Sequence, residues 1–293
     1  MKLGFVTAIL DSWNYEEMMD FASEQGFECV EVACWPQEKA ERRYAGVSHI
    51  DAERVNQDDT YAEHIVEYAK KSGVEISSLA YYPNVMAADK EKSAAAVEHL
   101  KQVILASRKL GVGMVTTFIG RDQTQNVQEN LELVKEIWPP IIKLAEECDV
   151  KVAIENCPML FGEDQWPGGQ NLMTTPPIWR EVFRILDSDH LGINYDPSHF
   201  IWQMIDYIRP LYESKIRSSM STTRISRSIK TSWNPAVSWH IRWNTCHRSS
   251  RDSEMWTGEN MYQHLRISDM TVIHALRSRT RPLKIPRKRL RIL

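Results

Sequence analysis

A rhythm fills the first 213 residues of this chain and then stops, and it constrains the fold more than any other feature. Six β-rich runs, "KLGFVTA", "QGFECVEVAC", "SGVEISSLAYY", "LGVGMVTTFIG", "CDVKVAIENC" and "DHLGINYDPSH", alternate with stretches of helical spacing. Helices are expected over roughly 14–25, 58–72, 89–110, 124–149, 174–186 and 199–212. Gly26, Gly73 and Gly111 stand where a left-handed residue would close a helix before the next strand. Asn14 with Glu17, and Thr60 with Glu63, have the spacing of reciprocal caps at the first two helix starts. Strands and helices alternating at this interval build a parallel sheet, because each parallel connection needs a crossover.

Such a sheet is either doubly wound or closed. No G-x-G-x-x-G follows the first strand and no G-x-x-x-x-G-K-[ST] occurs, so neither nucleotide-binding sheet is indicated. Polar residues recur at the strand ends, as in a barrel whose site lies at the C-terminal face. The expected fold is therefore an α/β, (β/α)8 TIM barrel with about six units intact in residues 1–213. A length of 293 residues suits one such barrel. No apolar run is long enough to span a membrane, and the opening "MKLGFVTAILDSWN" reads as a first strand rather than a leader. Five cysteines without a C-x-x-C pair suit reduced thiols and a cytoplasmic setting.

Strand side chains alternate between faces, so the runs show which way each acid points. In "KVAIEN", Val152 and Ile154 face the helices while Ala153 and Glu155 face the axis. In "LGINYDPSH", Leu191, Ile193 and Tyr195 face outward, and Gly192, Asn194 and Asp196 inward. In "FECVEVACW", Glu31 shares the inner face with Cys29 and Ala33. Three carboxylates, Glu31, Glu155 and Asp196, thus converge on the barrel mouth. Each could be a strand-end acid bonded to loop amides. Together, with His199 three residues beyond Asp196, they suit a divalent cation, because clustered anions are costly to desolvate unless a cation pairs them. Oxygen donors favour Mg²⁺ or Mn²⁺, and an imidazole admits Zn²⁺ or Co²⁺. Trp35, Tyr82 and Asn84 follow the second and third strands at the same mouth, as substrate contacts or as packing.

"AIENCP" and "GINYDPSHF" resemble the fifth and sixth strands of the sugar-phosphate isomerase/epimerase family, the xylose-isomerase-like TIM barrels. "EVACW" and "SSLAYYPNVM" are similar to that family's second and third strands, and the resemblance runs over residues 1–213. It implies one divalent metal held by Glu, Asp, His and Glu from strands five to eight. Glu155 and Asp196 match the first two ligands, and His199 matches a substrate-binding His. It further implies a ketose or polyol substrate, whose carbon-bound proton moves through an enediolate, with Glu155 both ligand and acid/base. Glu31, Trp35, Tyr82 and Asn84 would line the substrate pocket. An inosose dehydratase-like lyase on the same barrel is the alternative. An endonuclease IV-like reading fits poorly, because "AYYPN" and "TFIGRD" lack the His residues its zinc site needs. No nucleic-acid or membrane partner is expected, and a homo-oligomer is left open.

Residues 214–293 break every pattern. They hold 17 Lys+Arg against 4 Asp+Glu, leaving 19 against 35 in residues 1–213. No strand carrying the seventh-strand His or eighth-strand Glu is evident there. With suitable wobble bases, shifting the reading frame by two bases can turn "SSMSTTRI" (218–225) into "IHVHYKD", and "ISDMTVIHALRSR" (267–279) into "IGYDGYTCIEVE". Two bases of every recovered codon are fixed by the residues written. The tail is therefore expected to be an out-of-frame segment replacing units seven and eight, in which case the chain is an inactive product of a frame-shifted gene. The basic "RSRTRPLKIPRKRLRIL" and the His240–Cys246–His247 group are then by-products of the wrong frame.

Overall fold

The computed structural model of the chain describes residues 2–36, 46–160, 168–210, 222–226 and 271–275. Its strands are β1 (Lys2–Val6), β2 (Cys29–Ala33), β3 (Glu75–Ala80), β4 (Met114–Thr117), β5 (Lys151–Glu155), β6 (Leu191–Asn194), β7 (Thr222–Ser226) and β8 (Thr271–Ala275). All their pairings are parallel, in the order β6-β5-β4-β3-β2-β1-β8-β7. Sequence neighbours pair except β6 with β7, and β8 returns to β1, so the order is that of a ring. β6 and β7, at the two ends of the ladder, come into contact. This is the expected (β/α)8 TIM barrel.

The helices are α1 (Tyr15–Glu24), α2 (Ala52–Gln57), α3 (Asp59–Ser72), α4 (Lys90–Leu110), α5 (Val127–Cys148), α6 (Pro176–Ile185) and α7 (Ser198–Trp202). Their starts and stops follow the chemistry of their ends. Asn14 and Glu17 form the expected reciprocal cap, and Asn126 with Glu129 forms a second one. The Thr60–Glu63 expectation needs correcting: the cap of α3 is Asp58, whose carboxylate accepts from the Tyr61 amide. Asp58 wins because α2, which the spacing alone does not reveal, ends immediately before it and hands the chain over at an extended residue. Gly26, Gly73 and Gly111 take the left-handed conformation expected of them.

Two strands depart from expectation. The tail, in which no strand carrying the expected His or Glu is evident from sequence, contributes β7 and β8. Their sequences, "TTRIS" and "TVIHA", are short clusters of β-branched residues that suit a pleated strand despite their basic, Ser-rich surroundings. His240, Cys246 and His247 lie outside the described residues.

The hydrophobic core lies between the ladder and the helices. Val30, Val32, Val152, Ile154, Leu191, Ile193 and Tyr195 join it from the sheet, as the alternation requires. Trp138 and Trp179 fill it from α5 and α6, each donating its indole N–H to a backbone carbonyl, of Ile119 and Met173 respectively. The barrel interior is lined instead by small residues. A Cβ on Gly4 would lie 2.4 Å from the Cys29 carbonyl oxygen, so β1 and β2 can approach only with glycine there.

A buried histidine closes the mouth beside β1 and β2. His49 Nε2 lies 3.1 Å from the Leu10 carbonyl and Nδ1 lies 3.0 Å from Thr7 Oγ1, which in turn accepts from the Ala33 amide at 2.9 Å. A carbonyl can only accept, so Nε2 carries the proton and Nδ1 accepts from Thr7. The ring is thus held neutral, and burial pulls its pKa down. Above the unfolded pKa of about 6.5 neither state binds the proton. As the pH falls below it, the unfolded chain takes up the proton first, so stability drops by up to about 1.4 kcal/mol per pH unit for this one group. Urea midpoints measured between pH 7.5 and 5 should show that loss, and the His49→Gln variant should show a shallower decline.

Candidate active site

β5 and β6 run side by side with Glu155 paired to Asn194. The chain therefore delivers Glu155 and Asp196 to the same end of the barrel, one from the last residue of β5 and one just past β6. Both carboxylates are buried. The turn into α7 then brings His199 back over them. Its Nε2 lies 3.7 Å from Glu155 Oε1 and 3.6 Å from Asp196 Oδ2, and one donor atom from each of the three side chains lies within 4.8 Å of the others. Burial acts to lower the imidazole's pKa, but the neighbouring Cys157 and Asp196, with hydrogen bonds to Cys157 and Glu155, hold it well above its usual value. Two buried carboxylates facing one imidazole make a compact anionic pocket, and its O, O, N donor set fits a small divalent cation.

Three asparagines fix this pocket, and of these the sequence reading notes only the inward face of Asn194. Asn156 receives the Asp196 amide at 2.7 Å and donates to the Asp196 carbonyl at 2.9 Å, clamping that residue's backbone. Asn171 donates to the carbonyls of Glu155 (2.8 Å) and Cys157 (2.6 Å) and accepts from the Ile119 amide (3.1 Å). It thereby ties the loop after β4 to the end of β5. Asn194 donates to Tyr82 Oη at 3.0 Å. Asn156 and Asn194 are adjacent to acids that the alternation does identify, but the path of the loop that brings in Asn171 leaves no trace in local spacing.

The remaining expected site residues gather nearby. Glu31 is 2% exposed and accepts from Tyr82 Oη at 2.5 Å, so Tyr82 bridges β2 to β6 across the mouth. Trp35 and Phe118 flank the Tyr82 ring, with centroids 6.0 and 4.7 Å away, and form an aromatic wall. Asn84 is bonded on both sides of its amide to the backbone of Arg121, in the loop after β4. Its side chain acts on that loop.

The fold and this placement define an α/β barrel with metal-donor side chains at the C-terminal ends of β5 and β6. The chain belongs to the xylose isomerase-like TIM barrel family, whose model matches residues 19–220. No curated protein sequence matches it. Solved structures of similar shape are those of enzymes and related proteins. The 3-keto-D-glucoside 4-epimerase YcjR from E. coli is 14% identical, with TM-score 0.65 over 98% of this chain and 95% of that one. The probable 3-DHS dehydratase AsbF from Bacillus anthracis is 16% identical, with TM-score 0.64 over 94% and 93%. The IolI protein, solved with a bound zinc atom, is 16% identical, with TM-score 0.60 over 94% and 88%. At such identities the likeness establishes the fold.

Asn171→Ala would leave the Ile119 amide and two carbonyls without their partner in a buried setting. Each such loss costs about 1–3 kcal/mol. The variant should therefore lose at least about 3 kcal/mol of unfolding free energy, read from urea denaturation.

Proposed function

We propose that this barrel is that of a divalent-metal-dependent sugar isomerase or epimerase. The observation that carries the reading is the buried Glu155–Asp196–His199 cluster at the ends of adjacent strands in a barrel of this family. Glu155 and Asp196 would hold the metal, and His199 sits close enough to both to share in holding it or to bond a substrate hydroxyl. When bound, the ion supplies Lewis-acid polarisation of a substrate carbonyl.

The protein's own groups account for the rest. Glu155 is the base that takes the proton from the carbon beside that carbonyl, and the buried setting strengthens its pull on the polarised C–H. His199, 3.7 Å from Glu155 Oε1 and 3.6 Å from Asp196 Oδ2, stands where it can bond a substrate oxygen. Trp35, Tyr82 and Phe118 cover the apolar face of the sugar and exclude water. Glu31 fixes the Tyr82 hydroxyl, and Asn84 holds the loop that borders the pocket. A dehydratase reading draws on the likeness to AsbF. In it the same proton abstraction is followed by loss of hydroxide from the neighbouring carbon.

Epimerisation by two bases needs a second carboxylate on the opposite face of the sugar. In this chain β8 reads "TVIHA" and has none, and β7 reads "TTRIS" and has no histidine. We therefore also propose that residues from about 214 onward are translated out of frame. Support comes from the charge reversal between the two parts of the chain and from the overlap of β7 and β8 with the two stretches whose shifted readings regain strand-like sequence. The chain as written then carries half of the site.

Sequencing the gene across codons 205–225, together with an intact mass of its product, should reveal an extra or missing base relative to an independent clone. An unbroken frame with a matching mass would overturn the frame proposal. The restored product, incubated with ketoses and Mn²⁺ in deuterated water, should place deuterium on the carbon beside the carbonyl and yield the epimer. Glu155→Gln should reduce that exchange by about 10²–10⁴-fold. A dehydrated product would favour the lyase reading, and no exchange with any substrate would count against both.

A further inference from the structure

The loop after β4 carries a cation with no visible purpose. Residues 1–213 hold 35 acids against 19 bases, yet among the described residues no carboxylate lies within ion-pair reach of Arg121. Its side chain is half-buried, and its Nε–H is sealed from solvent without an acceptor. The guanidinium packs on Gly168, where a Cβ would come within 3.1 Å of Nη2 and 3.2 Å of Cζ. A side chain there would press on the guanidinium and require it to shift by a few tenths of an ångström.

The position is built with care. Asn84 clamps the Arg121 backbone, accepting its N–H at 2.8 Å and donating to its carbonyl at 2.7 Å, while its oxygen also accepts from the Met86 amide at 3.1 Å. Gly120 turns the chain at φ +86°, where a Cβ would collide with Asn84 Oδ1 at 2.7 Å and the Met86 amide at 2.8 Å. Asn171 anchors Ile119, two residues earlier, to the Glu155 carbonyl. The loop that presents Arg121 is thus pinned to the residue proposed as base. A desolvated guanidinium lowers its energy most by pairing with a planar or tetrahedral oxyanion through its forked N–H groups.

We infer that Arg121 is the anion-binding residue of the barrel mouth and takes a carboxylate or phosphate group carried by the substrate. This rests on the sugar-enzyme reading above and narrows its substrate class to acidic or phosphorylated sugars and polyols. A neutral ketose would leave the cation unpaired. The same charge would draw such a substrate into a pocket that its three buried carboxylates otherwise make repulsive to anions.

The full-length chain should be titrated calorimetrically with inorganic phosphate, D-gluconate and D-fructose, at constant ionic strength and with EDTA present. One anion or both should bind saturably at one site per chain, and D-fructose should not. Arg121→Gln should weaken that binding at least tenfold, and Arg121→Lys by less. The phosphate and gluconate arms tell which oxyanion the site prefers. Equal binding by Arg121→Gln, or no saturable anion binding by the wild type, would overturn the inference. Should the variants fail to fold, phenylglyoxal modification of the wild type gives the answer. Phosphate or gluconate should slow modification of Arg121 relative to Arg54, and equal rates at the two residues would overturn it. Because EDTA removes metal, a failed metal or epimerase assay leaves this result unaffected, and the reverse holds too.

Discussion

Two carboxylates buried side by side at the ends of neighbouring strands set the terms for the rest of the molecule. Glu155 and Asp196 are brought together by the parallel register of β5 and β6, in which every residue of one strand meets its counterpart in the other. Like charges removed from water repel and lose hydration, and neither cost is recovered by packing. The surroundings of the pair answer that cost. His199 folds back over both acids, Asn156 and Asn171 lock their backbones, and the small residues lining the barrel leave room at the axis. A site so arranged is poised to take up positive charge.

The same polarity problem recurs across the mouth. Glu31 is as deeply buried as the other two acids but is answered by a Tyr82 hydroxyl rather than by an imidazole. Tyr82 in turn is held by Asn194 and sits between two aromatic rings, so one side chain serves as a polar strut and an apolar wall. Arg121, half-buried on the loop after β4, offers the complementary charge. The mouth therefore has an anionic floor, an aromatic side and a cationic side, which matches a polar molecule with one charged end.

Much of this was legible in the sequence because period-two alternation encodes which face a strand residue takes. It placed Val152 and Ile154 in the core and Glu155 on the axis, and it did the same for β2 and β6. Helix ends were legible where a cap or a glycine marks them, as at Asn14, Gly73 and Gly111, and misjudged where two helices abut, as at Asp58. The unforeseen elements were those fixed by loop path. Asn171 and Arg121 act through contacts with backbone or space that lies far from them in sequence. Asn84, which its place after β3 marks as a substrate contact or as packing, has its amide bonded to the Arg121 backbone. β7 and β8 escaped notice because three β-branched residues in each carry little signal in a basic, Ser-rich tail.

The central claim is that Glu155 and Asp196, with His199 beside them, form a cation site. Equilibrium dialysis of the full-length chain against Mn²⁺, with bound metal counted by atomic emission, tests it most directly. The account predicts one saturable ion per chain, with affinity lowered at least tenfold by Asp196→Asn while the circular dichroism of the variant stays that of the wild type. No saturable ion in the wild type, or binding that Asp196→Asn leaves unchanged, would contradict it.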